Sequence, residues 1–363
     1  MLLIQPPFKR DELEKIEEIN KEADFIISPY DKNILNPYSI ESYLFQKHFH
    51  SHQINAVFDS NIIIDLTGYA EDMEKVSTTT ISSVALLAFL QIALVEIDPG
   101  IAISEHCTTC KKPSPSEKLF LFRNIDNFPT QELLDLVLGK IKHIDSSNTL
   151  YRGPIKKIIR PERPEELHRW KVQYIYALKL YILANSGLNK FDKVYSFIYW
   201  MWEKYLSGAV AFSFMAVFFS ERYSNMLKGV FSPNSTNSML GVKNAAWDMT
   251  TTHYWSSCVA KRKDNDPFYI FCTADKALKE VARHILEHTN VQPNKENLFH
   301  SLFHHYLSKS EIKELISLKE DLDEREFDPI RNVEKHKKHP DFFDNYLKEL
   351  EKEAEIIMMA KPN

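Results

Sequence analysis

The chain has 363 residues, of which 44% are hydrophobic and only 8 are glycine, a composition that supports a buried core and excludes a fibrous or mostly disordered protein. The length is too great for one average domain and too small for three. The formal net charge of −5 excludes general attraction to nucleic acid, so any nucleic-acid site requires a local basic surface or bound cations.

Four cysteines do not suggest a disulfide framework, and free thiols fit a reducing compartment. The first ten residues have an apolar run too short for a signal peptide. The longest apolar stretch, residues 206–220, is shorter than the roughly 18 residues that a bilayer span requires, and it therefore predicts a buried helix. These features together predict a cytoplasmic protein without membrane contact.

The first part of the chain predicts a helical lead-in, residues 1–53, with a charged helix at 11–20. At residue 54 the pattern changes to that of a buried strand, residues 54–58, followed by a polar cluster. Residues 80–97 are apolar at helical spacing after a Ser/Thr-rich start, which predicts a capped helix. The segment 54–109 is therefore the first part of an α/β core.

Residues 110–240 predict an all-helical insertion. Its aromatic residues recur every three or four positions between 165 and 183, a pattern that favours the core of a helical bundle over a base-stacking surface. The α/β pattern returns at 241–290, with a strand at 268–272 and a helix at 277–288, so the core is discontinuous. Residues 291–363 predict a charged helical extension.

Acidic residues follow both predicted strands of the core. Asp59 comes directly after the first strand, and Asp275 follows the second in a Thr-Ala-Asp-Lys turn. Ligands of parallel α/β sheets bind beyond the carboxyl ends of the strands, so the two side chains are candidates for one site. Taken alone, each aspartate reads equally well as a helix cap or a turn residue.

Further carboxylates strengthen the metal interpretation. Asp248 precedes the second strand, and Glu105, or alternatively Glu96, follows the first. Four carboxylates in one crevice would repel one another at neutral pH, so they imply raised pKa values or bound divalent cations. Oxygen ligands favour Mg²⁺ or Mn²⁺ over zinc. Such a site activates water for attack on a phosphodiester.

Two motifs resemble those of the PIN-like nucleases. The segment 57–66, VFDSNIIIDL, looks like the opening strand motif of that family, and 271–276, FCTADK, looks like its closing motif. The resemblance implies a Rossmann-like α/β/α domain that cleaves RNA with Mg²⁺ or Mn²⁺. It implies Asp59 as the first metal ligand and Asp275 as the last.

The same resemblance covers the intermediate acids. Residues 244–248, NAAWD, look like the family's helical segment that carries an aspartate upstream of the closing motif. The resemblance therefore implies Asp248 as a ligand. Residues 99–105, PGIAISE, look like the helical glutamate segment of longer members, which implies Glu105, with Glu96 as the alternative. Longer members are often found among bacterial defence and toxin-like proteins.

The long helical segment between the motifs departs from the compact members of the family. Insertions of this kind are tolerated in surface connections, and this one could form a lid, a partner surface or a self-association surface. The alternative hypothesis is therefore a non-catalytic protein-interaction module on a PIN-like core.

Weaker motifs add a few candidates. Lys261, Arg262 and Lys263 precede the second strand and could bind the phosphate backbone of RNA, although a charge run is usually a solvated loop. Residues 106–110, HCTTC, contain a CxxC with an adjacent histidine, for which free thiols are favoured over zinc. His300 and His304 lie at helical spacing but lack the glutamate of a metalloprotease motif.

These observations together predict a divalent-metal-dependent endoribonuclease. Its metal ligands and catalytic residues are Asp59, Glu105, Asp248 and Asp275, and its cofactor is Mg²⁺ or Mn²⁺. RNA is favoured over single-stranded DNA, and the expected products carry 3′-hydroxyl and 5′-phosphate ends.

Overall fold

The computed structural model describes residues 8–74, 76–109, 114–145, 147, 149, 168–223, 226, 235–289, 295–326 and 342–360. Four strands lie in these ranges: β1 (Ile26–Ile27), β2 (Ile54–Phe58), β3 (Glu96–Asp98) and β4 (Phe268–Cys272). The helices of the same ranges are α1 (Arg10–Ala23), α2 (Ile40–Phe49), α3 (Ser60–Glu71), α4 (Thr78–Ile92), α5 (Gly100–Thr109), α6 (Pro115–Asp126), α7 (Thr130–Val137), α8 (His168–Ala184), α9 (Lys190–Glu203), α10 (Ala209–Phe219), α11 (Ser235–Lys261), α12 (Lys276–Thr289), α13 (Lys295–Phe303), α14 (Lys309–Glu326) and α15 (Phe342–Met359).

The four strands form one mostly parallel sheet in the order β1-β4-β2-β3. Strands β2 and β4 are its parallel centre, with Ile54 opposite Phe268 and Phe58 opposite Cys272. Strand β3 pairs parallel to β2, and the short β1 pairs antiparallel to β4. The fold is thus mixed α/β, and the predicted strands 54–58 and 268–272 are confirmed.

The central strands form because they can be buried on both faces. All residues of β2 except Asn55 are buried, and so are all residues of β4 except Tyr269. Helix α4 extends the same core, since its residues from Val84 to Leu90 are fully buried. Ser77 caps this helix by accepting a hydrogen bond from the Thr80 N–H, as the Ser/Thr-rich start predicts.

Two parts of the sheet differ from the sequence-based prediction. The helix predicted at 80–97 ends at Ile92, and Glu96–Asp98 form strand β3. The chain leaves the helix through Leu94, which has a left-handed backbone conformation. The lead-in, predicted as helical, also contributes a strand to the sheet, because Ile26 and Ile27 form the edge strand β1.

The chain forms two compact units. The first comprises Met1–Pro164 and Tyr254–Asp275, and the second comprises Glu165–His253 and Lys276–Asn363. These limits do not coincide with the predicted boundaries at 110, 240 and 290. The whole sheet lies in the first unit, and helix α11 contributes residues to both.

The second unit is helical in its described parts. Helix α8 packs against α9, α10 and α15, and α10 packs against α12. Aromatic rings fill its interior: Tyr205 lies 4.9 Å from Tyr176 and 5.2 Å from Trp200, between ring centroids. Trp170, Tyr174 and Tyr181 are buried, in agreement with the prediction that the aromatic stripe is a bundle core.

The apolar run at 206–220 forms α10, whose side chains are almost all buried. In the described part of the chain, no helix combines the length and hydropathy needed to cross a membrane.

Candidate functional site

The candidate site lies where the two central strands of the sheet end. Strand β2 ends at Phe58 and is followed by Asp59, while β4 ends at Cys272 and leads to Asp275. The strands are parallel and in register, so both aspartates lie at the same edge of the sheet. The Asp59 N–H also donates to the Cys272 carbonyl over 2.9 Å, which continues the pairing of the strands up to the site.

Asp59 is buried, with 1% of its surface exposed, and its carboxylate accepts three hydrogen bonds. Oδ1 accepts from the Ser60 N–H over 2.8 Å. Oδ2 accepts from the Asn61 side-chain amide over 3.0 Å and from the Thr273 hydroxyl over 2.8 Å. Asp59 is also the N-cap of α3, so the cap interpretation holds and does not exclude a second role.

Thr273 connects the two aspartates. Its hydroxyl donates to Asp59 and accepts a hydrogen bond from the Asp275 N–H over 3.0 Å. Thr273 is itself fully buried, and its N–H donates to the Phe25 carbonyl next to β1. The turn that carries Asp275 is thereby fixed against the Asp59 carboxylate. Two acids 216 positions apart in the chain thus lie at the same edge of the sheet.

The environment raises the pKa of Asp59 to about 6. Burial is the largest cause, because it disfavours the charged form. The hydrogen bond from Thr273 acts in the opposite direction, and the nearby negative charge of Asp275 raises the pKa further. Donors from Ser60 and Asn61 lower the pKa but do not reverse the shift. The site therefore favours a bound proton or a cation.

The two alternative glutamates occupy different positions. Glu96 is the first residue of β3 and is exposed. It pairs with Asn55, which lies three positions before the end of β2. Glu105 lies on α5, which packs against α3, the helix that Asp59 caps. Glu105 is half-buried, with its Oε2 atom shielded from solvent. Glu105 is thus on a helix that packs against the Asp59-capped helix, whereas Glu96 lies at the start of its strand.

Asp248 lies on the part of α11 that belongs to the second unit, where it is half-buried. The first unit by itself therefore brings together Asp59 and Asp275, with Glu105 on a neighbouring helix.

A further carboxylate lies at this edge of the sheet and was not predicted from the sequence. Asp98 ends β3, the strand next to β2. Its Oδ2 accepts from the Tyr254 hydroxyl over 2.9 Å, and its Oδ1 accepts from the Gly100 N–H over 2.9 Å. The Asp-Pro-Gly sequence reads locally as the end of a helix. Recognising Asp98 as a strand-end acid requires the pairing of β3, which no local pattern reveals.

The basic cluster lies at the other end of β4. Lys261, Arg262 and Lys263 precede this strand, whereas Asp275 follows it. A strand of five residues spans about 17 Å. The structure thus does not bring these cations together with the aspartates, and the proximity in sequence is misleading because the intervening strand is extended.

The carboxylates at the sheet edge leave room for a metal ion. A carboxylate offers about four acceptor positions, and three of those of Asp59 are used. Mg²⁺ is usually held by only one or two carboxylates, together with water and substrate phosphates. Asp59 and Asp275 fit such an open site. In the described ranges, no three His, Cys, Asp or Glu side chains are grouped so that they could hold a metal ion.

The histidine motif lies at the end of α13. Helix α13 ends at Phe303, so His304 lies in the following turn, and the rings of His300 and His304 stack with centroids 5.2 Å apart. The side chains of the CxxC motif at 106–110 lie outside the described residues.

No protein-family model, curated protein or solved structure matches the chain.

Proposed function

We propose that the protein is a divalent-metal-dependent endoribonuclease of PIN-like type. The observation that carries the proposal is the pairing of Asp59 and Asp275 through the Thr273 hydroxyl at the carboxyl edge of a parallel sheet. The negative charge of Asp275 is near enough to raise the pKa of Asp59, and a cation between the two carboxylates would offset this repulsion. The motif resemblance then points to phosphodiester hydrolysis.

Each acid has a proposed role. Asp59 and Asp275 would hold Mg²⁺ or Mn²⁺, with Glu105 as a further ligand. Asp248 stays a candidate on the resemblance alone. When bound, the cation supplies an activated water and offsets charge on the phosphate oxygens. Thr273 keeps the Asp275 turn against Asp59 before substrate binds, which reduces the reorganisation needed during the reaction.

The polar environment of Asp59 supports this role. Ser60, Asn61 and Thr273 fix the orientation of the carboxylate, and the raised pKa shows that hydrogen bonds alone do not fully stabilise its charge. A cation at the remaining acceptor position would do so. RNA is the proposed substrate, and a role as a toxin or defence effector follows only from the resemblance.

The test is RNA cleavage with Mn²⁺ or Mg²⁺ by the wild type and by Asp59→Asn, Asp275→Asn and Glu105→Gln. We expect each substitution to reduce the metal-stimulated rate by at least about a hundredfold, because each removes a charge that holds the cation. The matched control is Glu96→Gln on the exposed end of β3, which should cleave at the wild-type rate.

The outcomes separate the two hypotheses. Cleavage that persists in both aspartate variants would indicate a contaminating nuclease or a different site. A folded wild type that neither binds Mn²⁺ nor cleaves RNA would favour the non-catalytic interaction module. Thermal unfolding of every variant checks that the loss of activity is not a loss of fold.

A further inference from the structure

A second surface of the first unit carries exposed aromatic rings. Phe45 and Phe49 lie one turn apart on α2, and 47% and 54% of their surfaces are exposed. Their rings are stacked, with centroids 4.9 Å apart. Single exposed apolar residues are common, but two adjacent exposed phenylalanines present an aromatic face to solvent.

The aromatic face continues from α2 to the beginning of the sheet. The ring of His50 lies 5.2 Å from that of Phe45 and 5.9 Å from that of His52. His52 in turn lies 4.6 Å from the ring of Phe268, the first residue of β4. The rings therefore form an unbroken series from the end of α2 to the amino end of the central strand.

Cationic groups lie on this series. The guanidinium carbon of Arg262 is 4.2 Å from the centroid of the Phe268 ring, within the range of a cation–π interaction. One nitrogen of Arg262 donates to the Asp264 carbonyl, and its Nε has no hydrogen-bond partner among the residues that the structure describes. Lys261 and Lys263 flank it and are exposed.

His52 lies close to the charges of Arg262 and His50. Burial lowers the pKa of His52, and the charges of Arg262 and His50 lower it further. The acids that follow on the same loop are Asp264, which is exposed, and Asp266, which accepts a hydrogen bond from the Lys263 N–H.

Exposed aromatic rings next to a cation match one kind of ligand. Unpaired bases stack on aromatic faces whatever their identity, and cations bind the phosphates between them. A duplex hides its base faces and could use only the cations. A purely apolar protein partner would leave the Arg262 guanidinium without a counter-charge. The chemistry favours a single-stranded nucleic acid.

We infer that Phe45, Phe49, His50 and Arg262 form a binding surface for single-stranded nucleic acid. The inference deepens the proposed function and rests on it in one respect, the identification of the bound strand as the substrate. The surface lies at the amino ends of β2 and β4, about one strand length, roughly 17 Å, from Asp59. A substrate that reaches both must therefore have several unpaired nucleotides.

The test is fluorescence anisotropy of a labelled twelve-nucleotide oligo(U) in EDTA, with Asp59→Asn as the parent protein so that cleavage cannot occur. The variants on that parent are Phe45→Ala/Phe49→Ala and Arg262→Ala. Loss of base stacking on the two rings should weaken binding about tenfold or more. The matched control is Tyr199→Ala, an exposed aromatic residue on α9 of the second unit, which should bind like the parent.

Competitors and cleavage data complete the experiment. Unlabelled oligo(dT) should compete within a few-fold of oligo(U), whereas a blunt RNA duplex should compete poorly. Equal affinity of the parent and the double phenylalanine variant, or no binding at all, would overturn the inference. Binding without metal-dependent cleavage by the wild type would refute the proposed nuclease and leave the surface intact. Cleavage of a long oligonucleotide with an unchanged KM in the Phe45→Ala/Phe49→Ala variant of the wild type would refute the surface alone.

Discussion

Asp59 is at once a helix cap and a buried acid with a like-charged neighbour. Its three hydrogen-bond donors are the kind that stabilise a capping carboxylate, yet its pKa is raised because burial and Asp275 outweigh them. A purely structural cap would gain nothing from this second acid. The residue is thus held in an environment that destabilises its own charge, which is typical of functional sites.

This environment predicts an unusual dependence of stability on pH. The pKa of Asp59 is about 6 in the folded protein, above its ordinary value of 3.8. Between these values the unfolded chain has lost the proton while the folded chain retains it, so the free energy of unfolding falls as the pH rises. The contribution of this group is fully present below about pH 4 and lost above about pH 6.

The variant Asp59→Asn removes that penalty. In EDTA, the stability of this variant relative to the wild type should rise by on the order of 2 kcal/mol between about pH 4 and about pH 7.5. A loss that is independent of pH is added to this, because the asparagine NH2 faces a donor where an Asp59 oxygen accepted. Urea unfolding at both pH values measures the difference. A stability difference that is the same at both pH values would show that the carboxylate carries no pH-dependent penalty and acts as a cap only.

Thr273 provides a more selective test of the same pair. Thr273→Val removes the hydroxyl that donates to Asp59 and accepts from the Asp275 N–H. Since that hydrogen bond lowers the pKa of Asp59, its loss should raise this pKa further and shift the pH profile of cleavage upward. The loss of two buried hydrogen bonds should cost about 1–3 kcal/mol of unfolding free energy.

Thr273→Ser is the matched control for this prediction. It retains the hydroxyl and should keep the wild-type pH profile, while its lost methyl group costs some stability. Identical profiles for the valine and serine variants would show that the hydroxyl does not couple the two acids.

The elements that place the site differ in how far they can be predicted. Strands β2 and β4 are recognisable because each is a short apolar run that ends in polar residues. Strand β3 is not, since Val95 and Ile97 continue the apolar pattern of α4 and only the left-handed Leu94 separates them. The two residues of β1 become a strand only by pairing with β4, about 245 positions later.

The candidate site shows the same division. Asp59 and Asp275 can be predicted because Asp59 directly follows β2 and Asp275 lies in the turn that follows β4. Asp98 cannot, because its position depends on β3 and on Tyr254, which lies 156 positions away in the chain. The placement of the basic cluster fails for a related reason, since proximity in sequence does not account for the length of an extended strand.

Strand β4 is the element on which the site depends most, because it joins β1 and β2 and leads to Asp275. Ile270 is fully buried at its centre, opposite Ala56, so a small residue faces it and cannot fill a cavity. Ile270→Ala should therefore cost about 2–5 kcal/mol. Ile64→Ala on α3 makes the same change at a side chain that is 50% exposed, and it should cost about 0.5 kcal/mol or less.

Chemical denaturation of the two isoleucine variants measures this difference. Similar costs at both positions would mean that β4 does not form the packed centre of the first unit. In the buried variant we also expect weaker Mn²⁺ binding, because the strand that delivers Asp275 is less firmly held.

At the scale of the whole molecule, the chain interrupts its first compact unit with a helical segment and then returns to complete the sheet. Residues that belong to one site are therefore separated by most of the chain. Loop closure over such a distance costs entropy that grows only slowly with length, and the pairing of β2 with β4 offsets it by burying both strands.

The proposed nuclease activity depends most directly on one cation bound between Asp59 and Asp275. Isothermal titration of the metal-free protein with Mn²⁺ should give saturable binding in the wild type and in Glu96→Gln, with loss of that binding in both Asp59→Asn and Asp275→Asn. Undiminished Mn²⁺ binding by the two aspartate variants, with the fold intact by circular dichroism, would contradict the account.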